Sequence, residues 1–290
     1  MKETRKTLAA QAAARALRLR TTHGHRQWHP VSIYDLAQQI GVDVRFVDTP
    51  SMEGIYCQGK NPAIIISSLR PAGRQSFTCA HELGHHLMGH GAQFDELVEQ
   101  RNSDRNQFPP QEIEADSFAA ALLMPKIAVE RAFFIRGIDA KKCTPEAVFA
   151  ISNWLGVGYQ TLINQMRMGL GLVDGQHAQS LEKSKPPAIR KRLLGQECRE
   201  NLHVVDQNWL DRAVDTSVSD LILLPPNVIV EGACIEVVEH DQHRSLVRAI
   251  APGIGRIAAT DSAWAAFVRV SKKEYIGRAI YRFEEEISDE

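Results

Sequence analysis

His81-Glu82-Leu83-Gly84-His85 is the part of the sequence whose residue types and spacing are suited to chemistry. Two histidines four residues apart on an α-helix lie one above the other, so both imidazoles can reach one ion at about 2.0–2.1 Å. Glu82 sits one step round the helix, bordering that ion as a base rather than as a ligand. This H-E-x-x-H pattern suits metal-assisted amide hydrolysis: zinc activates a water and polarises the scissile carbonyl while a glutamate moves the proton. The pattern alone is short enough to recur by chance, and two histidines are too few for a catalytic zinc, which usually has three protein ligands and one open position.

The third ligand is therefore sought elsewhere. Residues 109–125 begin with two prolines and end at Pro125, the marks of a helix start and stop. On this helix Glu114 shares a face with Phe118, Ala121 and Leu122, and an acid on an apolar face is costly unless paired or metal-bound. Glu112 and Asp116 read as solvated. Glu114 is the expected third ligand, with His81 and His85, and Zn2+ the expected ion. Manganese or iron could occupy the same donors.

With these residues in place, Ser76–Leu87 followed by Glu114-Ala115, Phe118-Ala119 and Leu122-Leu123-Met124-Pro125 resembles the ImmA/IrrE family of metallopeptidases. The likeness runs over about 30–172. It implies a zincin-like core, His81, His85 and Glu114 as zinc ligands and Glu82 as the catalytic base. It further implies a protein substrate, a helix-turn-helix transcriptional repressor or similar regulator, whose cleavage derepresses stress or mobile-element genes. Cys79 stands where a plain apolar residue is commoner in that family.

Several elements must position this site. A helix led by Ser32 carries Ile33, Leu36, Ala37 and Ile40, and Gly41 ends it. Val42, Val44 and Phe46 then alternate as a strand, and 62–67 reads as a buried strand. Helices are expected over about 75–90, 111–123, 126–136, 145–154 and 158–168. Strands are expected at Ala233–Glu239, Ser245–Ile250, Arg256–Thr260, Ala265–Val270 and Tyr275–Phe283, forming a small antiparallel sheet, sandwich or barrel. The fold class is α+β. The expected division is 1–29, a basic helix (3–20) and polar loop; 30–172, a zincin-like metallopeptidase domain; 173–204, a linker; and 205–290, a β-rich C-terminal domain.

Other features read as bland. The text at 145–168 resembles a helix-turn-helix, but its second helix has almost no basic residue before Arg167 to meet phosphates. DNA binding through it, or protein docking without proteolysis, are the alternative functions. Tyr56, His86 and His90 are candidate oxyanion donors. Cys79 falls on the side of its helix away from the metal and reads as a buried small residue. His23, His25 and His29 read as a polar loop, and His240, Asp241 and His243 as a solvated turn.

A net charge of −1 gives the molecule no overall attraction to nucleic acid or membrane, and no apolar run approaches the roughly 18–20 residues that span a bilayer. The N-terminus is basic but lacks the apolar core of a signal peptide. Five scattered cysteines without a CxxC pair suggest neither a disulfide framework nor a zinc knuckle, and fit a reducing cytoplasm.

Overall fold

The computed structural model describes residues 4–91, 93–96, 109–210 and 212–284, with the backbone alone over 93–96. Residues 1–3 and 285–290, the outer ends of the expected first and last segments, lie outside the described residues.

The first unit is built on a five-stranded sheet. Its members are β1 (Asp43–Val47), β2 (Met52–Cys57), β3 (Ala63–Ser67), β4 (Gln93–Glu96) and β13 (Gly277–Arg278), in the order β13-β1-β3-β2-β4. β1 and β3 are parallel, and the other pairs are antiparallel. Val44 and Phe46 of β1 are buried while Arg45 between them is exposed, the period-two alternation of a strand covered on one face. α3 (Ala72–Met88) packs on β2 and β3 and carries the H-E-x-x-H residues. It starts after Pro71 and stops at Gly89, whose φ of 72° is the left-handed conformation that ends helices.

α4 (Pro110–Leu123) lies against α3, with Ala115, Phe118, Ala119, Leu122 and Leu123 buried. α1 (Arg5–Thr22) docks on α4 through Leu8, Ala12 and Ala16. Its Arg20 is fully buried and donates to the carbonyl of Leu122 at 2.6 Å, and also to the carbonyls of Arg26 and His29. One guanidinium thus bonds three backbone carbonyls, one in α4 and two in the loop after α1. The basic helix of the sequence reading is a packing element with one charge turned inward.

α2 (Ile33–Gln39) precedes β1. After α4 come α5 (Lys126–Phe134), α6 (Pro145–Leu155) and α7 (Tyr159–Asn164), the last two joined through Gly156 at φ 71°. The α6–α7 pair buries Val148, Ile151, Leu155, Tyr159, Leu162 and Ile163 in the common core. A Cβ on Gly73 would come within 2.5 Å of the Val157–Gly158 backbone, so the turn between these helices sits directly on the start of α3.

The stretch 173–204, expected as a linker, is largely structured. α8 (Gly175–Lys183) is capped by Asp174, which accepts from the His177 amide at 2.7 Å. α9 (Pro186–Leu194) begins at the Pro-Pro pair, because proline at the first helical turn loses no hydrogen bond. Ala178, Leu181, Ile189 and Leu194 anchor both helices. The lysine–proline run is the joint between two helices, not a tether.

Past residue 200 the chain forms two four-stranded sheets. One has the order β5-β7-β10-β9, from Leu202–Val204, Leu221–Leu224, Ser245–Ala249 and Ile235–His240. The other has the order β6-β12-β11-β8, from Val214–Ser217, Ala265–Ser271, Gly253–Ala259 and Val228–Glu231. Two pairs, β5–β7 and β6–β12, are parallel, where an antiparallel arrangement was expected. The final expected strand, Tyr275–Phe283, shortens to β13 and a 3₁₀ turn at Ala279–Tyr281. Tyr275 and Phe283 serve packing instead: Tyr275 meets the ring of Phe46, and Phe283 is stacked by Arg282 at 4.1 Å.

β13 reaches back to pair with β1, Phe46 opposite Gly277, so the C-terminal part completes the first sheet. Charges fasten the junction. Arg269 bonds both oxygens of Asp215, at 2.6 and 2.8 Å, and reaches Asp35 at 3.1 Å. Burial pushes the Asp215 carboxyl up, but the Arg269 hydrogen bonds and charge outweigh it and hold it below the usual range. Removing Arg269 takes from Asp215 its hydrogen-bonded partner and leaves Arg282 at 3.5 Å, and breaking a pair costs about 3–5 kcal/mol in the interior. Both groups are about one-fifth exposed, so the lower end, about 3 kcal/mol, is expected for Arg269→Met in a denaturant melt. Because the folded carboxyl is depressed, this stabilisation is present above the ordinary aspartate range. It fades as pH falls below about 4, and the variant's acid titration should lack that component.

Candidate metal centre

His81 and His85 lie in the second half of α3, 3% and 0% exposed, on the side facing α4. Their Nε2 atoms are 3.0 Å apart. Glu112, in the first turn of α4, brings Oε2 to 3.3 Å from His81 Nε2 and Oε1 to 3.5 Å from His85 Nε2. A tetrahedral ion with arms of 2.0–2.1 Å has its ligands about 3.4 Å apart. Two imidazoles and a carboxylate at these separations therefore fit a single small divalent ion. Among the described residues this is the one histidine, cysteine and carboxylate group so assembled.

Close helix contact makes the assembly possible. A Cβ on Gly84 would lie 3.1 Å from the Cα of Ala115 and 3.3 Å from the ring of Phe118. The absent side chain lets α3 and α4 meet almost backbone to backbone, which delivers the first turn of α4 to the histidines. Gly84→Val should wedge them apart. Overpacking of this kind costs about 1–3 kcal/mol, and Glu112 would be drawn off the pair. A melt and a zinc titration of the variant should show lower stability and weaker binding together.

The two rings are held from behind. His81 Nδ1 donates to Asp116 Oδ1 at 2.9 Å, which leaves Nε2 as the lone-pair nitrogen. His85 Nδ1 lies 3.0 Å from His90 Nδ1, and His90 Nε2 lies 3.1 Å from Glu114 Oε2. The consistent proton arrangement is a chain: His85 donates to His90, and His90 donates to Glu114. Burial, then the neighbouring His81, lowers the His85 pKa against the pull of Glu112.

Glu114, the expected third ligand, is thus placed on His90, and Glu112 meets the two histidines in its stead. The face carrying Phe118 and Leu122 does pack inward, but the α3 histidines meet the neighbouring edge of α4, which carries Glu112 and Asp116. The sequence did hold a signal. Glu112 and Asp116 are four residues apart, the same spacing as His81 and His85, so one turn of acids can face one turn of histidines.

Glu82 is fully buried beside β2, its Oε1 3.4 Å from where a Cβ on Gly54 would stand. Of the candidate oxyanion donors, Tyr56 and His86 bond each other at 2.7 Å, and His90 stands behind His85. Cys79 is fully buried, and burial pushes its thiol well above the ordinary range, so it remains a neutral filler. Asp241 accepts from the amides of His243 and Arg244, a local turn. The backbone of the His23–His29 loop is organised by Arg20.

Residues 37–166 match the family model described as Peptidase M78, IrrE N-terminal-like domain, a span that contains His81, Glu82, His85, His90, Glu112, Glu114 and Asp116. No match was found among curated proteins. Among solved structures, a Mycobacterium tuberculosis transcriptional regulator aligns at 17% identity and a TM-score of 0.38, over 54% of this chain and 46% of that one. This chain therefore spans less than half of that protein's length. No helix among the described residues is long and apolar enough to cross a membrane. Over residues 37–166, under half of the chain, the sequence is thus similar to the IrrE N-terminal-like domain of the M78 peptidases, the family that its motifs resemble.

Proposed function

We propose that the protein is a zinc-dependent, site-specific endopeptidase acting on a regulatory protein in a reducing cytoplasm. The observation that carries this reading is the convergence of His81, His85 and Glu112 beside Glu82. Two nitrogens and one carboxylate oxygen, the rings braced by Asp116 and His90, form the donor set of a catalytic zinc centre. A divalent ion bound there supplies Lewis acidity for amide hydrolysis.

The chain's own residues do the rest. His81, His85 and Glu112 hold the ion. Asp116 fixes the His81 tautomer, and the His90–Glu114 pair fixes that of His85. Glu82, one residue after the first ligand, accepts the proton of the attacking water and passes it to the leaving amine. A purely structural metal site needs no such base. The ImmA/IrrE likeness supports a helix-turn-helix repressor, or a similar regulator, as the substrate.

The test compares new protein N-termini by mass spectrometry in cells making either the wild-type protein or Glu82→Gln. A small set of wild-type-only termini, led by a helix-turn-helix regulator, is expected. Identical termini under several stresses would overturn the reading.

A further inference from the structure

At the end of α3 opposite the histidines, the peptidase unit and the C-terminal sheets line a half-open cavity of about 360 Å³. That lies within the range of small-molecule pockets. Its walls include the first turn of α3, Ser68, Arg212, Asp215 and Arg282.

Three observations give this cavity a chemical character. First, α3 begins with no side-chain cap and no acid in its first turn, and Ala72 and Gly73 of that turn line the space. The start of a 17-residue helix presents backbone N–H groups and the positive end of its dipole. Second, Ser68 is only 5% exposed, yet its hydroxyl has no hydrogen-bond partner among the described residues. Third, the Arg212 guanidinium spends one nitrogen on the Trp154 carbonyl at 2.8 Å, while its Nε has no partner.

Among the described residues no carboxylate lies within ion-pair distance of Arg212, and burial holds its pKa below the usual arginine range. Three carboxylates line the cavity, of which Glu274 is exposed and the other two are already used. Asp215 is bonded by Arg269, and Asp220 accepts from His203, Asn201 and the Ser217 amide. Arg282 Nη2 is 3.5 Å from Asp215, without a hydrogen bond. Arg212 is half-buried and feels Asp215 and Asp35 only at a distance, so an anion in the cavity would give its guanidinium a direct partner.

We propose that this cavity is a binding site for a small phosphate monoester, its phosphate held by the first turn of α3, Ser68 Oγ and Arg212. Helix starts suit phosphate because their amides point along the axis toward the anion. The planar arginine fork and a hydroxyl donor match the remaining oxygens.

The test is calorimetric titration of the full-length protein with inorganic phosphate and with ribose 5-phosphate. Saturable binding at millimolar concentration or tighter is expected, with the ester binding more tightly. Arg212→Gln should weaken it at least tenfold, and Ser68→Ala several-fold. In phosphate-free buffer Arg212→Gln should melt close to wild type, because the amide can still donate to the Trp154 carbonyl. If that variant does not fold, Ser68→Ala carries the test alone. No saturable binding of either probe would overturn the proposal. Binding that both variants leave within twofold would do the same.

Discussion

Glu112→Ala protein will bind no zinc at micromolar concentration, whereas Glu114→Ala will still bind one ion with affinity lowered about 10- to 100-fold. The difference follows from where the two carboxylates lie. Glu112 places its oxygens 3.3 and 3.5 Å from the two Nε2 atoms and would be a direct ligand. Glu114 acts at one remove, through His90, on the tautomer and orientation of His85. Losing it loosens a ring; losing Glu112 takes away one of three donors. Titration with a competing zinc chelator separates the outcomes. The reverse pattern, with Glu114→Ala empty and Glu112→Ala loaded, would return the third-ligand role to Glu114 and reduce Glu112 to an ion-pair neighbour.

Glu82→Gln is expected to keep its zinc and to lower cleavage of the identified substrate by about 10²–10⁴-fold, the usual contribution of a positioned general base. The amide is close in size to the carboxylate, so the tight packing against β2 at Gly54 is preserved. What it cannot do is accept a proton. Single-turnover assays on metal-loaded protein check this directly. Turnover within a fewfold of wild type would remove Glu82 from the chemistry and leave the metal cluster without an assigned base.

The legible part of this protein is the part written in local patterns. H-E-x-x-H fixes its own geometry, because i and i+4 coincide on any helix. The Pro109-Pro110 start and Pro125 stop bounded α4 closely, and Val44 and Phe46 alternated as a strand does. Which acid meets the histidines is a different kind of question. It depends on the rotation of α4 against α3, and that rotation is set by Gly84 meeting Ala115, a contact between residues 31 positions apart. Counting apolar neighbours of Glu114 could not resolve it.

The first strands of the C-terminal part were hidden for another reason. Leu221–Leu224 is buried at three of four positions and shows no alternation, so periodicity has nothing to read. β13 is two residues long and owes its existence to the edge of β1.

That last pairing has a consequence for biosynthesis. β1 is made early, but its outer neighbour is encoded about 230 residues later. At ordinary translation rates, roughly 10–50 s separate the two. Throughout that interval β1 presents an open row of amides and carbonyls, the kind of edge that recruits stray strands. Its completion waits on the C-terminal sheets. The nascent N-terminal half therefore needs either a chaperone or its own finished C-terminal part, and ribosome stalling after residue 170 should yield aggregates rather than a free folded domain.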